Sequence, residues 1–259
     1  MRIATYNING IRARFETVTA WLSERAPDVA LLQETKIVDE AFPREEVERL
    51  GYRVETHGQK SFNGVAILSR LPLEDVVRGL PGDEADEQAR WIEATVLGDR
   101  AVRVVSLYLP NGNPAPGPKY DYKLAWMERM RLRAAALLRS EEPVVLAGDY
   151  NVLPEARDAR RPEVMREDAL FLPPTRAAFR RLEALGLTDA VRARTQAPGV
   201  YSYWDFQAGA WERDHGLRID HHLLSPQAAY LLVDAWIEKE ARGGARPSDH
   251  VPVWIELAA

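Results

Sequence analysis

Residues 143–154 read PVVLAGDYNVLP, so an apolar run from Val144 to Ala147 passes directly into Gly148, Asp149, Tyr150 and Asn151. A buried-looking strand that ends in a carboxylate and an amide two residues apart serves either a turn or a site. Side chains alternate faces along a strand, which predicts Asp149 and Asn151 on one side. Gly148 would let another backbone or a ligand come close. Taken alone, GDYN reads as a turn, because Asp, Asn and Gly are turn residues.

The pattern recurs, and that weakens the turn reading. The first apolar run ends at Asn7 and Asn9, and the run from Asp28 ends at Glu34, Thr35 and Lys36. The run from Ala101 ends near Tyr108 and Asn111. Asp220 sits inside the apolar stretch LRIDHHLL, where an unpaired carboxylate would be costly. Asp249 and His250 stand just before the last strand-like run. Polar groups gathered at strand ends are where layered α/β proteins build their sites.

The donors are carboxylates, amides and one imidazole, with no cysteine anywhere in the chain. That set suits a hard cation such as Mg²⁺ or Mn²⁺ better than zinc. A carboxylate-held Mg²⁺ is the usual partner of phosphate esters. Of the histidines, His57 and His215 are expected in surface loops, and one of His221 and His222 is expected to face solvent. His250, beside an acid in a Gly/Pro-framed loop, is the catalytic candidate.

The elements that would carry these groups are short runs rich in Val, Ile and Leu. Strands are predicted at RIATYNI, DVALLQE, GVAILSR, RWIEATVL, AVRVVSLYLP, PVVLAGDYN, RIDHHLLS and VPVWIEL. Helical spacing is predicted over 16–25, 44–50, 121–139 and 175–185, with Thr175 as the cap of the last. TYNINGI and AGDYNVLP resemble each other, which hints at two related halves. The Gly/Pro stretches PNGNPAPGPK and GGARPSDH are loops with strand-like segments on both sides, so one domain over 1–259 is expected. The mixture points to a layered α/β or α+β domain.

Composition sets the remaining bounds. With 259 residues, 46% of them hydrophobic, the chain can bury a sizeable core. No charged-then-apolar leader and no bilayer-length apolar run occurs, so a soluble cytoplasmic protein is expected. A formal net charge of −5 argues against coating nucleic acid by bulk charge. It leaves room for a local basic face built from Arg129, Arg131 and Arg133, or from Arg157, Arg160 and Arg161.

The ordered set ATYNINGIRA, LLQETK, NGVAILSR, SLYLPNG, GDYNV, GLRIDHHLLS and SDHVP resembles the exonuclease III family of apurinic/apyrimidinic endonucleases. That family lies within the endonuclease/exonuclease/phosphatase superfamily, and the match spans essentially the whole chain. PKYDYKLAWM is similar to its bacterial exonuclease III branch. The resemblance implies a four-layer sandwich of two packed mixed β-sheets flanked by helices. It implies an Mg²⁺-dependent (Mn²⁺ as alternative) monomeric enzyme acting on double-stranded DNA at abasic sites or 3′ ends. Its metal group would be drawn from Asn7, Glu34, Asp149, Asn151, Asp249 and His250. Asp149 would activate water, Asn151 steady it, and His250, oriented by Asp220, bind the scissile phosphate. Tyr108 and Asn111 would contact the phosphate or assist the leaving group. An apolar pocket for the sugar would come from Tyr203, Trp204, Leu217 and Ile219, with Phe206 expected in the core. The chain departs from the family's pattern at Tyr150, where Phe is frequent, and in using Arg157, Arg160 and Arg161 in place of lysines. The rival readings are another phosphatase or phosphodiesterase of the superfamily, and a non-catalytic nucleic-acid-binding relative.

Overall fold

A computed structural model describes residues 1–258. Among them are twelve strands: β1 Arg2–Asn7, β2 Val29–Gln33, β3 Arg53–His57, β4 Val65–Ser69, β5 Leu73–Arg78, β6 Trp91–Leu97, β7 Ala101–Tyr108, β8 Val144–Asp149, β9 Thr188–Asp189, β10 Asp220–Leu224, β11 Leu232–Ile237 and β12 Val253–Leu257. The helices are α1 Ile11–Arg25, α2 Arg44–Glu48, α3 Pro118–Leu138, α4 Pro173–Glu183, α5 Ala190–Arg194 and α6 Pro226–Tyr230. No helix of the described residues is long and apolar enough to cross a membrane.

The strands form two six-stranded sheets, ordered β11-β12-β1-β2-β4-β3 and β5-β6-β7-β8-β10-β9. Among the described strands only β1 with β2, and β7 with β8, run parallel. Reading the first sheet from β11 and the second from β9 gives one sequence of pairings: two antiparallel, one parallel, two antiparallel. The two related halves hinted at by TYNINGI and AGDYNVLP therefore correspond to the two sheets, with β1 and β8 third in each.

Alternation along each strand builds four layers. Ile3, Val29, Leu31, Val104, Val145, Ala147, Leu224 and Val253 fill the space between the sheets. Ala4, Tyr6, Ala30 and Leu32 face the other way, against Val18, Trp21 and Leu22 of α1. Val105, Leu107, Leu146 and Leu223 pack under Trp126, Met127 and Met130 of α3 and Phe179 and Leu182 of α4. Each fully buried Leu, Ile or Val contributes roughly 1.5–3 kcal/mol.

The inter-sheet face changes character toward one end. Along β1 it reads Ile3, Thr5, Asn7; along β8, Val145, Ala147, Asp149; along β10, Leu224, His222, Asp220. A polar belt crosses between the sheets there. Thr5 Oγ1 donates to Gln33 Oε1 at 3.1 Å, Gln33 Nε2 to Ser106 Oγ at 3.0 Å, and Ser106 Oγ to the Leu32 carbonyl at 2.9 Å. The dry core thus gives way to hydrogen-bonding groups just below the mouth of the cleft.

Some expectations shift. The helix over 16–25 begins at Ile11, and that over 121–139 at Pro118. Thr175 is not a cap: Pro173 and Pro174 take the first turn, where their missing N–H groups cost nothing, and the Thr175 hydroxyl donates to the Ala169 carbonyl at 2.7 Å. His57 lies in β3, and both His221 and His222 are fully buried. Burial keeps both neutral, lowering His221 to about 4 and His222 to about 3.

Candidate active site

The polar strand ends meet at one mouth of the sandwich. A cavity of about 570 Å³ is lined by Glu34, Tyr108, Asn111, Asp149, Asn151, Asp249 and His250 together with Tyr203, Leu217 and Ile219. Sharp turns at the strand ends make this convergence possible. Glu34, Asn9 and Asn151, each just past a strand, take positive φ of 52°, 45° and 47°. Non-glycine residues adopt that conformation at a cost, and it is concentrated at functional sites. Gly148 is required by its neighbour: a Cβ there would lie 1.9 Å from the Leu107 carbonyl oxygen of β7.

GDYN is both a turn and a site. Asp149 Oδ1 accepts from the Asn151 backbone N–H at 2.9 Å, an Asx turn. Its other oxygen, Oδ2, accepts from Asn7 Nδ2 at 2.9 Å. The same Asn7 nitrogen donates to Glu34 Oε1 at 2.8 Å. Asn7 therefore presents its amide nitrogen, not its oxygen, to two carboxylates brought from the two sheets. In this arrangement its amide nitrogen bridges the two carboxylates. Lys36 Nζ lies 2.8 Å from Glu34 Oε2 and also donates to Asn9 Oδ1. Asn9 Nδ2 in turn holds Asp249 Oδ1 at 3.0 Å.

His250 is the second centre. Its Nδ1 is 2.9 Å from Asp220 Oδ2, and its Nε2 is 3.6 Å from Asp149 Oδ2. Ser202 Oγ donates to Asp220 Oδ2 at 2.6 Å and accepts the Ile219 and Asp220 backbone N–H groups. Burial alone would lower the His250 pKa, but the Asp220 and Asp149 carboxylates outweigh it and raise it to about 10. Between the two carboxylates the ring favours the imidazolium form, in which both nitrogens donate.

The remaining donors do fit a hard cation. One ligand atom from each of Glu34, Asp149 and His250 lies within 4.8 Å of the others. Setting the imidazolium aside leaves two carboxylates of the cluster, with the Asp249 carboxylate on the same cavity wall. Oxygen donors at a solvent-facing mouth suit Mg²⁺ or Mn²⁺, which keep several waters. Burial pushes the Asp149 carboxyl up to about 7, with Asp220 and Glu34 adding and His250 opposing. Burial also holds the Tyr108 phenol well above its usual range, so it stays neutral.

The amide pair is ordered as well. Asn111 Nδ2 donates to Asn151 Oδ1 at 3.1 Å, and Asn151 Nδ2 donates to the Leu109 carbonyl at 3.0 Å. Tyr203 packs edge-on against His250, ring centroids 4.9 Å apart. Leu217 and Ile219 complete an apolar wall with Met165 and Leu170.

Trp204 does not line this wall. It is fully buried among Tyr201 and Trp211, with its indole N–H on Asp214. Alternation from Tyr203 turns it inward. Phe206, expected in the core, is instead 50% exposed, with the Arg14 and Arg242 guanidiniums 5.6 and 4.9 Å from its ring centroid. His215, expected on the surface, lines the cavity with Arg160 and Arg161. Ser202 was not legible as a site residue, since it stands neither at a strand end nor beside an acid in the sequence.

The chain has relatives among known proteins. Residues 4–250 match the Endonuclease/Exonuclease/phosphatase family. The chain is 35% identical to Exodeoxyribonuclease III of Haemophilus influenzae, over 99% of this chain and 100% of that one. Its fold superposes on the 3′-5′ exonuclease NExo from Neisseria meningitidis with a TM-score of 0.96 at 37% identity, covering 100% of both chains. NExo has also been solved as a 3′ phosphatase bound to a product DNA hairpin. An AP endonuclease from Archaeoglobus fulgidus superposes with a TM-score of 0.94 at 35% identity, again covering 100% of both.

Proposed function

The chain belongs to the Endonuclease/Exonuclease/phosphatase family, and from that premise we propose that it is a DNA repair nuclease that hydrolyses phosphodiesters with a hard divalent cation. Its substrates on this reading are duplex DNA cut 5′ of abasic sites and DNA degraded from 3′ ends, with 3′-phosphate removal at the same centre. The observation that carries the reading is the convergence of Glu34 and Asp149 with the His250–Asp220 pair at one cavity. All these residues come from one chain, so a monomer suffices.

Phosphodiester hydrolysis needs an in-line nucleophile, charge compensation at the non-bridging oxygens, and help for the leaving 3′-oxygen. Glu34 and Asp149, oriented by Asn7, would hold Mg²⁺ or Mn²⁺, with Asp249 beside them; the ion when bound supplies Lewis-acid stabilisation of phosphate charge. Asp149, held at the cavity between Asn7 and the Asn151 N–H, accepts the proton of the attacking water. The His250 imidazolium donates from Nε2 to a phosphate oxygen while Nδ1–H remains on Asp220. Asn151, tied to Asn111, steadies the attacking water. Tyr108, a neutral phenol, donates toward the leaving oxygen. Tyr203, Leu217 and Ile219 exclude water from the sugar, and a site without a base is the cheapest to extrude into such a pocket.

The test is an end-labelled duplex carrying one tetrahydrofuran abasic analogue, incubated in Mg²⁺, in EDTA, and beside an intact duplex. Incision immediately 5′ of the analogue in Mg²⁺ only is expected, with laddering of the intact duplex from its 3′ ends. Hydrolysis of soluble inositol phosphates without DNA cleavage would contradict the reading.

A further inference from the structure

α3 presents Tyr120, Lys123, Trp126, Met127, Met130 and Ala134 to the core. A lysine in that stripe is out of character, and Lys123 is fully buried. An ammonium out of water is costly unless it is hydrogen-bonded. Among the described residues no carboxylate forms a salt bridge with it. Its partners are two backbone carbonyls: Asn151 O at 2.5 Å and Asn111 O at 3.0 Å. Those are the loops that follow β8 and β7, and both asparagines line the cavity.

The chain is shaped to admit this contact. Gly112 stands at φ +90°, and a Cβ there would lie 2.6 Å from Lys123 Cδ. Only a glycine lets the loop after Asn111 close over the lysine stem. The other restraints on Asn151 come from the site itself: its N–H is on Asp149, and its amide bonds Leu109 O and Asn111. The contact with Lys123 fixes the one remaining backbone group of Asn151.

We propose that Lys123 is a positioning residue of this site: its buried amino group clamps the Asn111 and Asn151 carbonyls and so sets both side chains against the reacting phosphate. The proposal rests on reading the cavity as a phosphodiesterase site. Lys123 touches no substrate; it acts through the two asparagines. Misplacement of a site group by about 1 Å can cost on the order of a hundredfold in rate.

The experiment uses the full chain and the tetrahydrofuran duplex in Mg²⁺, with rates normalised to the folded fraction by active-site titration. Lys123→Met keeps the aliphatic stem and removes the hydrogen-bond donors; Lys123→Arg keeps donors at the end of the stem. Lys123→Met is expected to lower kcat about 10- to 100-fold with little change in KM, and Lys123→Arg to recover most of it. Should Lys123→Met not fold, Lys123→Gln takes its place, with the same fall in kcat expected. Wild-type rate per folded molecule in the neutral variant would overturn the proposal, as would a loss that Lys123→Arg fails to recover. Wild-type protein that cuts no DNA would overturn the nuclease reading itself, and this proposal with it.

Discussion

Asp220 shows how one residue decides the chemistry of another. Its carboxylate takes the Nδ1–H of His250 and outweighs the desolvation of the ring, so His250 stays cationic through neutral pH. In Asp220→Asn that support is lost while burial remains. The His250 pKa then falls, and the alkaline limb of the pH–rate profile moves to lower pH. At pH 7.5 single-turnover cleavage should drop about 100-fold or more, the scale on which one oriented charge or proton donor acts. An unmoved alkaline limb would separate His250 from the chemistry. At this scale the sequence was largely readable. A carboxylate at a strand end or inside an apolar run has few structural uses: Glu34, Asp149, Asp249 and His250 line the cleft, and Asn7 and Asp220 hold them from behind. Supporting groups were opaque: Ser202 is a common serine, and a helical lysine such as Lys123 ordinarily faces water. Trp204 was misplaced for a related reason, since a run of aromatics does not say which of its two faces is wet.

Among the elements, the segment from Leu217 to Leu224 carries both the apolar wall and Asp220, and a buried ion network fixes it. Arg218 Nε meets Asp158 at 2.7 Å and Nη1 meets Asp189 at 2.7 Å, tying the loop around Asp158 and the end of β9 to β10. Burial would raise the Asp158 carboxyl, but Arg218 and Arg192 outweigh it and lower it to about 2. Its unfolded counterpart protonates near the ordinary value of 3.8, so folded and unfolded states differ in bound protons between about pH 4 and 2. The stability it provides is complete above that window and lost as pH falls through it, roughly 2 kcal/mol in all. Urea denaturation at pH 5 and at pH 2.5 should show that loss in wild type and its absence in Asp158→Asn. Arg218→Met should cost about 3–5 kcal/mol at neutral pH, because it leaves the buried Asp189 carboxylate without its arginine and Asp158 with Arg192 alone; a midpoint shift near zero would refute the network's role. Central strands were legible as continuous apolar runs. β3, β5 and β11 were not, because RVETH, LEDVVR and LVDAWI lie at or near sheet edges and are half-solvated.

Over the whole molecule, the repeated pairing pattern explains why one mouth of the sandwich is polar. Each sheet brings its third strand, β1 or β8, to the cleft, and the carboxylate pair bridged by Asn7 joins them. The net charge of −5 means that DNA must be held by a local basic face. Arg160 and Arg161 lie on the cavity wall and supply part of it. Replacing both with Ala should weaken duplex binding and flatten the slope of log K against log salt by about 2, since each phosphate neutralised by an arginine adds about 0.9 to that slope. A slope equal to that of wild type would place the DNA elsewhere. The two-sheet architecture could be foreseen only through family resemblance, since periodicity reports each strand's faces but not which sheet it joins.

The central claim is that Asp149 activates the nucleophile while the rest of the cleft binds DNA. Single-turnover cleavage of the tetrahydrofuran duplex by wild type and Asp149→Asn in Mg²⁺, with binding followed by fluorescence anisotropy, tests it most directly. A rate at least about 100-fold lower in the variant is expected, with duplex affinity within a few-fold of wild type. Turnover by Asp149→Asn near the wild-type rate would contradict it.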